Sequence, residues 1–255
     1  MTHVALITGA GRGIGAAIAQ YLAEREVACV LAARTVKSCA EVAARIEARG
    51  GRAWAVELDV TDPDLVRSAV QEARELCAEV GPLDWLVNNA GMAISAPILA
   101  GERSDELYER HLEVNFHGPR HMIEACVPDM IERGYGRVVN VASSAALMGY
   151  AYVSAYVSSK HAILGYTRSA AVELERTGVT FHTVCPHYVD SPMTEETVRN
   201  IVGKTGRDEA QVRTWLASQN PGGRLVRPDE VAAACLTALE GDENGTLIEL
   251  DGSDS

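Results

Sequence analysis

The sequence predicts an α/β fold, in which one doubly wound parallel sheet carries helices on both faces. Two observations predict it. Apolar runs of strand length, rich in Val, Ile and Leu, alternate along the chain with longer segments of helical period, as in sheets that are covered on both sides. No Pro/Ser-rich linker, charge block or repeat interrupts the sequence, so residues 1–255 are expected to form a single domain.

The first part of the chain has a βαβαβ pattern. The predicted strands are "VALIT" at 4–8, "ACVLAA" at 28–33 and "AWAVEL" at 53–58, and the predicted helices cover 14–25, 37–49 and 63–80. The third helix is expected to begin after Asp62 as its N-cap, with Pro63 at its first position.

The second part continues the alternation. The predicted strands are "DWLVNN" at 84–89, "GRVVNVAS" at 136–143, "VTFHTVC" at 179–185 and "GTLIEL" at 245–250. The predicted helices lie near 104–133, 154–176, within 194–218 and near 229–240, and the first of them contains Pro119 and Pro128. In such sheets, ligands bind beyond the carboxyl ends of the strands.

The composition excludes several classes of partner. Hydrophobic residues make up 47% of the chain and charged residues 23%, as in ordinary soluble domains. The formal net charge of −12 repels nucleic acid and anionic lipid, so neither is an expected partner. The six cysteines contain no CxxC pair, and the chain starts with only a short apolar run before its glycines, which predicts a reduced, cytoplasmic protein.

A glycine-rich turn joins the first strand to the first helix. The stretch "TGAGRGIG" places Gly9, Gly11, Gly13 and Gly15 there. Backbone without a Cβ can approach a pyrophosphate closely, and the NH groups at a helix start meet its negative charge. A tight turn without a ligand is the alternative, but the place of this turn at the start of the predicted sheet favours dinucleotide binding.

With this TGxxxGxG spacing, the sequence resembles the short-chain dehydrogenase/reductase family over essentially the whole chain. The resemblance implies a Rossmann-type fold and a nicotinamide dinucleotide bound by the four glycines with Arg12 and Ile14. The other cofactor-binding residues that it implies are Asp59 and Val60 of "LDV", Asn89, Ala90 and Gly91 of "NNAG", and Pro186, Val189 and Ser191 of "CPHYVDSPM". Asp59 could instead only precede the helix capped by Asp62. The resemblance also implies that Asn88 of "NNAG" braces the sheet edge beside the cofactor, although Asn88 could instead only form a loop.

The resemblance carries the family's reactive serine, tyrosine and lysine onto Ser143, Tyr156 and Lys160, the last two also as cofactor contacts. In "SAYVSSKHA", Tyr156 and Lys160 lie one helical turn apart, about 5 to 6 Å between Cβ atoms. An ammonium at this distance is expected to lower the pKa of the phenol toward neutrality, as suits a proton donor. Ser143 is expected to bind the substrate oxygen, with Ser144 as its rival.

Asn115, in "LEVNFHG", matches the family's asparagine that helps to hold a water in a proton relay behind the lysine. Pro119 has no NH to donate to the carbonyl of residue 115, so the helix is expected to open there. The alternative is an asparagine without a role inside a helix.

The choice of nicotinamide follows from the end of the second strand. Enzymes that use NAD usually present Asp or Glu at this point, whereas a 2′-phosphate needs the acid absent and a cation nearby. Ala33 stands at that position, Arg34 follows it, and Arg12 supplies a second positive charge. NADP(H) is therefore favoured over NAD(H).

Two groups of side chains resemble metal ligands. Glu113, His117 and His121 recur every fourth residue, and "HTVCPH" contains His182, Cys185 and His187. No metal is expected at either group, because the first spans the irregularity at Pro119 and the second alternates between the two faces of a strand.

The expected substrate-binding residues are Ser143, Tyr156, His187 and Trp215. His187 replaces the glycine that the family mostly has beside the nicotinamide, so the backbone there either accepts strain or follows a shifted path. Trp215 lies in a segment at about 190–220 that is interpreted as a substrate lid, with a packed surface helix as the alternative.

The resemblance as a whole implies a ketoreductase, or a secondary-alcohol dehydrogenase in reverse, that acts on a ketone or alcohol, free or linked as a thioester. Its similarity is greatest to 3-oxoacyl and polyketide ketoreductases, although the PGG stretch of aromatic-polyketide members is missing from "GMAISAPILAG". The alternatives are an NAD-dependent 3-hydroxyacyl or other secondary-alcohol dehydrogenase, and a dinucleotide-sensing protein without chemistry. A homotetramer or homodimer is also implied.

Overall fold

The computed structural model describes residues 2–99, 101 and 104–253. Within them the strands are β1 (Val4–Thr8), β2 (Ala28–Ala33), β3 (Ala53–Glu57), β4 (Leu83–Asn88), β5 (Gly136–Val141), β6 (Val179–Pro186) and β7 (Leu247–Leu250). All neighbouring strands are parallel, in the order β3-β2-β1-β4-β5-β6-β7. The predicted doubly wound, Rossmann-type sheet is confirmed.

Helices connect successive strands. They are α1 (Gly13–Ala23), α2 (Val36–Glu47), α3 (Pro63–Cys77), α4 (Ser104–Leu112), α5 (Gly118–Arg133), α6 (Ser154–Glu173), α7 (Pro192–Thr205), α8 (Glu209–Ser218) and α9 (Pro228–Glu240). As expected, the third helix starts with a cap: the Asp62 side chain accepts hydrogen bonds from the backbone NH groups of Asp64 and Leu65. None of the helices in the described ranges is long and apolar enough to cross a membrane.

Side chains on the two faces of the sheet form two hydrophobic cores. In β1, Ala5 and Ile7 face a core shared with α1, α2 and α9, whereas Val4 and Leu6 face a core shared with α3, α5 and the end of α6. This alternation follows from the two-residue period of a strand. Both faces are covered, which explains why most strand residues are apolar.

The chain reverses direction across the sheet between β1 and β4. From β1 it builds outward to β3, and it then returns to place β4 on the other side of β1. The connections on the two sides leave a crevice at the carboxyl ends of these two strands, where open α/β sheets bind their ligands. The glycine turn after β1 and the segment "NNAG" at the end of β4 flank it.

The segment predicted as one helix near 104–133 is divided. A π-helical turn over Glu113–His117 separates α4 from α5, and Pro119 lies in the first turn of α5. Proline removes one NH from the helical ladder, so the hydrogen-bond pattern shifts just before it. The expected irregularity beside Asn115 is thus present as a π turn, while Pro128 is accommodated inside α5.

Candidate active site

One hydroxyl ties the glycine turn to the end of β4. Thr8 Oγ1 accepts hydrogen bonds from the backbone NH groups of Asn89 and Ala90, both at 3.0 Å. In return, Asn89 Nδ2 donates to the carbonyl oxygens of Thr8 at 3.0 Å and Gly9 at 3.3 Å. The two segments that flank the crevice therefore form one rigid unit.

Two glycines of the turn leave no room for a side chain. A Cβ on Gly15 would lie 2.4 Å from the carbonyl oxygen of Gly9, and a Cβ on Gly9 would lie 2.9 Å from Cα of Ala90. Gly9 also has a φ of +66°, which favours glycine. The turn is thus a close approach of bare backbone, which is the arrangement that a pyrophosphate requires.

The other side of the turn lies against the start of α2. A Cβ on Gly11 would lie 2.1 Å from Ser38 Oγ, so the loop and α2 are in direct contact there. Arg12 follows Gly11 in the chain, Arg34 lies between β2 and α2, and both are exposed. Neither guanidinium makes a hydrogen bond or an ion pair with any part of the chain that the structure describes. At the end of β2, Ala33 supplies no carboxylate.

The start of α1 adds to the same surface. Arg12 is its N-cap residue and has an extended backbone, but its side chain accepts no hydrogen bond from the first turn. Ile14, in that first turn, packs its half-buried side chain against the core. Backbone NH groups at such a helix start are available to an anion.

Asp59 and Val60 follow β3. Asp59 Oδ1 accepts hydrogen bonds from the backbone NH and the hydroxyl of Thr61, at 3.0 and 2.8 Å. Val60 is buried against α5, where a Cβ on Gly118 would lie 2.7 Å from its Cγ2. Asp59 therefore shapes the turn into α3, and its expected contact with adenine stays a prediction.

A chain of buried amide groups braces the sheet below the crevice. Asn88 Nδ2 donates to Asn140 Oδ1 at 2.8 Å, and Asn140 Nδ2 donates to Thr167 Oγ1 at the same distance. All three side chains are at most 3% exposed. These bonds join β4, β5 and α6, which supports the bracing role predicted for Asn88.

Tyr156, Lys160 and Ser143 meet at the carboxyl end of β5. Lys160 is 5% exposed, its Nζ lies 5.7 Å from the centre of the Tyr156 ring, and it donates a 3.0 Å hydrogen bond to the carbonyl oxygen of Val141. The Ser143 hydroxyl hydrogen-bonds the Tyr156 phenol. It also accepts a hydrogen bond from the NH of Ala145, in a short 3-10 turn over Ser144–Ala146. The structure thus brings together the three residues that the resemblance selected.

The pKa values differ from the sequence expectation. Burial raises the pKa of Tyr156 to about 12, and the hydrogen bond from Ser143 only partly opposes this rise. Burial also lowers the pKa of Lys160 to about 8. The expected lowering of the Tyr156 pKa is wrong for this structure, because desolvation of the phenol dominates and the ammonium is directed at the carbonyl of Val141. At neutral pH the phenol holds its proton.

Asn115 lies in the π turn and is 1% exposed. Its side chain holds Met92 twice, with Oδ1 accepting from the backbone NH and Nδ2 donating to the carbonyl oxygen, each at 2.9 Å. Nδ2 also donates to Ser159 Oγ at 3.0 Å, and Ser159 donates to the carbonyl oxygen of Tyr156 at 2.8 Å. Asn115 thereby connects the segment after β4 to the helix that carries Tyr156.

Gly91 precedes this contact. A Cβ on Gly91 would lie 3.2 Å from Asn115 Oδ1 and 3.7 Å from Lys160 Nζ. The backbone at Gly91 therefore runs close to the two polar groups that the relay would need.

His111 is a site residue that the sequence analysis missed. It is fully buried on α4, its Nδ1 lies 2.7 Å from the carbonyl oxygen of Leu107, and its Nε2 accepts from the NH of Ile94 at 3.0 Å. Its ring meets the Tyr156 ring edge to face, with 6.4 Å between centres. It could not be selected from the sequence, because a lone histidine in a helix carries no motif.

The segment after β6 departs from a regular strand. Pro186 ends β6, buried Val189 bridges to Val226, and Ser191 is the N-cap residue of α7. The φ of His187 is not positive, so the strained alternative for this residue is wrong. Its imidazole lies against Glu249 of β7, with 2.8 Å between Nε2 and Oε1, and its side chain is 2% exposed. Its role in substrate selection stays a prediction.

Two helices form the segment that was interpreted as a lid. Val212 and Leu216 of α8 pack against Val198 of α7 in a small cluster that also includes Tyr188. Trp215 is 40% exposed and lies in an open surface groove on the far side of α8, with Gln211, Thr214 and Ser218. The structure does not bring Trp215 to Tyr156, so a substrate contact there stays a prediction.

Neither group of metal-like ligands converges. The rings of His117 and His121 stack at 6.3 Å, and His121 Nδ1 lies 3.1 Å from the carbonyl oxygen of Val60. His182 pairs with Thr180, and His187 pairs with Glu249. Among the described residues, no three His, Cys, Asp or Glu side chains are placed to hold a metal ion.

Comparison with known proteins agrees with this geometry. Residues 3–201 match the family model of short chain dehydrogenases. The chain is 34% identical over 252 residues to the short-chain reductase NovJ of Streptomyces niveus, covering 98% of this chain and 92% of that protein. It is 36% identical over 255 residues to cis-4-hydroxycyclohexanecarboxylate dehydrogenase of Sinomonas cyclohexanicum, covering 98% and 95%.

Among solved structures, a point variant of actinorhodin polyketide ketoreductase with NADPH superposes with a TM-score of 0.91 at 29% identity, covering 98% of this chain and 96% of that one. A gluconate 5-dehydrogenase from Burkholderia cenocepacia, solved with NADP and tartrate, gives a TM-score of 0.85 at 31% identity, covering 98% and 94%. The glycine turn, the Ser143, Tyr156 and Lys160 cluster and these matches lead to one conclusion: the chain belongs to the short-chain dehydrogenase/reductase family and is an oxidoreductase that acts on secondary alcohols or ketones.

Proposed function

We propose that this protein is an NADP(H)-dependent ketoreductase, which acts as a secondary-alcohol dehydrogenase in the reverse direction. The observation that carries the cofactor choice is the pair of exposed arginines, Arg12 and Arg34, in the two segments that meet at Gly11 and Ser38; neither has a partner among the described residues. Two free cations suit a 2′-phosphate, and no carboxylate stands at Ala33 to bind the ribose hydroxyls of NAD.

The glycine turn fits a dinucleotide. Gly9 and Gly15 keep side chains away from the backbone beside α1, and the first turn of α1 has no side-chain cap. Residues of this turn would hold the pyrophosphate, Asp59 and Val60 the adenine, and Lys160 the ribose next to the nicotinamide. Asn89, Ala90, Gly91, Pro186, Val189 and Ser191 would line the rest of the cofactor site. When bound, the cofactor supplies the hydride for the carbonyl carbon.

Tyr156 donates the proton. Its phenol is protonated at neutral pH because burial raises its pKa to about 12. As the carbonyl carbon is reduced, charge develops on the carbonyl oxygen, and that oxygen becomes a strong enough base to take the proton.

Ser143 binds the same oxygen. Its Oγ accepts a hydrogen bond from the NH of Ala145, and its proton would turn from the Tyr156 phenol to the substrate oxygen when a ketone binds. Ser144 is a weaker candidate, since it is 3% exposed and its hydroxyl pairs with the Tyr150 hydroxyl at 2.8 Å.

Lys160 and Asn115 support the reaction. Lys160 uses one of its three donors on the carbonyl of Val141, so two remain for the cofactor ribose and for the phenol side of the site. Asn115 and Ser159 hold the segment at Met92 and the carbonyl of Tyr156 in fixed positions.

The relatives suggest two substrate types. One acts by its name on a hydroxycyclohexane carboxylate, and one solved neighbour is a polyketide ketoreductase. A carbonyl or alcohol on a ring is common to a cyclohexane and to many polyketides, so we propose a ketone of this general kind. The site keeps Ser143, Tyr156 and Lys160 together, which disfavours a dinucleotide sensor without chemistry.

The test of cofactor choice is a comparison of kcat/KM for NADPH and NADH. We expect a preference for NADPH of at least about tenfold, because one charge-assisted contact is worth roughly 1.5 kcal/mol. Arg34→Asp should reverse the preference, whereas the matched control Arg199→Asp, an exposed arginine on α7, should leave it unchanged. Equal use of both cofactors by the wild type would favour the NAD-dependent alternative.

We also propose that the protein is cytoplasmic and forms a homotetramer or homodimer through α5 and α6. All six cysteines are unpaired thiols, as suits a reducing compartment. On α6, Val172 is 77% exposed, which is unusual for a large apolar side chain unless it is covered by a neighbour. Light scattering after size-exclusion chromatography tests the assembly, and Val172→Asp should shift it toward the monomer.

A further inference from the structure

Exposed apolar side chains are concentrated in the segments that follow the strands of the site. In the described residues, eleven large hydrophobic side chains are exposed, and six of them follow the carboxyl ends of β4, β5 and β6. These six form the rim: Ile94, Ile98, Leu99, Met148, Tyr152 and Met193. Leu99 is 90% exposed and Ile98 is 71% exposed. Such a concentration of exposed apolar area around a reaction site favours an apolar ligand.

The rim is built on a fixed backbone. Every second residue of the segment after β4 is held: Met92 by Asn115, Ile94 by His111, and Ala96 by the carbonyl oxygen of Tyr152 at 2.8 Å. Tyr152 itself has a φ of +65°, an uncommon value for a bulky residue. Its backbone therefore turns so that its carbonyl reaches Ala96 while its ring stays 67% exposed on the rim.

Inside the rim, two tyrosines form an aromatic wall next to Tyr156. The rings of Tyr150 and Tyr188 meet edge to face, with 6.4 Å between centres. The Tyr150 hydroxyl pairs with buried Ser144, and Tyr188 packs into the cluster of α7 and α8. Both phenols are close enough to act on the pKa of Tyr156. The orientation of both rings is thus set by contacts on two sides.

Two of the three segments at the mouth carry no charge. Residues 91–99 and 142–153 contain no Asp, Glu, Lys or Arg. After β6, Asp190 and Glu195 are both paired with Arg213 of α8. A carboxylate, a sugar acid or the phosphates of a thioester carrier would find few charged partners here to offset the cost of leaving water. A neutral apolar molecule does not need such partners.

We propose that the aromatic wall and the apolar rim select neutral ring ketones with an apolar substituent. The ring lies against Tyr150 and Tyr188, and the substituent lies along the rim. This inference rests on the proposed ketone reduction, and it narrows the substrate from the thioester-linked or polyhydroxylated alternatives to free apolar molecules. Flat faces of aromatic side chains prefer flat or ring-shaped partners over flexible chains, which must lose rotational freedom on binding.

The experiment compares kcat/KM with NADPH for 4-propylcyclohexanone, 2-nonanone, L-sorbose and acetoacetyl-CoA. The first two have equal carbon number, so their comparison isolates the ring. We expect the ring ketone to exceed 2-nonanone by about tenfold and the other two by more than about a hundredfold. A preference for acetoacetyl-CoA or L-sorbose would overturn the proposal while ketone reduction itself stood.

Two variants and one control locate the effect. Tyr188→Leu keeps an apolar side chain in the cluster of α7 and α8 but removes the aromatic face, so it should bring the ratio of 4-propylcyclohexanone to 2-nonanone close to one. Ile98→Ser should lower the gain in kcat/KM from cyclohexanone to 4-propylcyclohexanone by about threefold. The matched control Ile131→Ser alters an exposed isoleucine on α5 outside the rim and should change neither ratio. If Tyr188→Leu lowered kcat/KM by the same factor for all ketones, the aromatic wall would not select ring ketones.

A binding measurement separates this proposal from the proposed chemistry. Calorimetric titration of Tyr156→Phe, saturated with NADP⁺, with 4-propylcyclohexanone should show binding that Tyr188→Leu in the same background weakens by about tenfold. Binding without turnover by the wild type would leave the wall and rim standing and contradict ketone reduction. If the ring ketone did not bind, the proposal that the aromatic wall and the apolar rim select it would be wrong.

Discussion

The cofactor side and the substrate side of this molecule are held together by different means. On the cofactor side, residues 4–91, bare backbone packs against backbone, and Gly9 and Gly15 have no room for a Cβ. On the substrate side, the segments after β4, β5 and β6 are joined by side chains such as His111, Asn115 and Arg213. The backbone of the cofactor side therefore tolerates almost no change in shape. On the substrate side, side chains can be replaced while the fold is kept.

The largest expected effect is a loss of catalysis without a loss of cofactor binding. Tyr156→Phe removes only the proton that is transferred, so kcat should fall by at least about a hundredfold. The dissociation constant for NADPH, measured by nicotinamide fluorescence, should stay within about threefold. Tyr166→Phe, on the same helix, serves as the control. Activity within threefold of the wild type would mean that another group is the acid.

A pair of glycine substitutions tests the difference in packing directly. Gly15→Ala would place a Cβ 2.4 Å from the carbonyl oxygen of Gly9, so the turn must move. We expect a loss of about 2 kcal/mol in the free energy of unfolding, a fall in Tm of about 5 °C, and loss of NADPH binding. On the substrate side, a Cβ on Gly203 of α7 meets nothing within 4 Å, so Gly203→Ala should stabilise by about 0.5 to 1 kcal/mol. Similar changes in Tm for both variants would contradict the comparison.

Acid should act outside the cofactor side. Residues 4–91 contain no histidine, whereas burial lowers the pKa of His111 on α4 and that of His182 on β6, the latter from 6.5 to about 4. Between these pH values the unfolded chain binds the proton that the folded chain excludes. The contribution of His182 to stability is therefore complete above about pH 6.5 and is lost as the pH falls toward 4.

The expected size of this effect is up to about 3 kcal/mol between pH 7 and pH 4. Urea unfolding of the wild type and of His182→Gln at a series of pH values measures it as a difference in slope. Parallel curves for the two proteins would show that His182 does not contribute. His161→Gln, on an exposed part of α6, is the control.

The smallest expected effect concerns the contact between α8 and the segment after β6. Arg213 pairs there with Asp190 and Glu195, but its side chain is 38% exposed, so water screens both contacts. Arg213→Gln should cost at most about 1 kcal/mol of stability and raise KM for the ketone by about threefold or less, without changing the affinity for NADPH. Arg199→Gln on α7 should change neither. A loss of NADPH affinity in Arg213→Gln would show that the two sides are coupled through α8.

The same difference explains what could be read from the sequence. The strands β1 and β2 were predicted with their observed bounds, because apolar runs and glycine turns are local patterns. The cluster of Ser143, Tyr156 and Lys160 was found because its residues stand in a recognisable motif. The contacts of His111, Ser159 and Tyr188 could not be found, because each depends on a partner from another element of the fold.

Two residues show where local reasoning goes wrong. The pKa of Tyr156 was expected to fall, on the basis of one neighbouring charge, but burial in the folded protein outweighs that charge. At His187 the sequence left a strained and an unstrained backbone open, and only the folded chain, in which the φ of His187 is not positive, distinguishes them. Both outcomes depend on surroundings that come from distant parts of the chain.

The π turn at Glu113–His117 has a consequence for insertions and deletions. A π turn amounts to one additional residue in an α-helix. Deleting one residue from it would make α4 and α5 a continuous helix and rotate α4 by about 100° around its axis relative to α5. His111 would then no longer face Ile94. The length of this turn therefore sets the rotation of α4, and a single residue decides whether His111 holds the rim at Ile94.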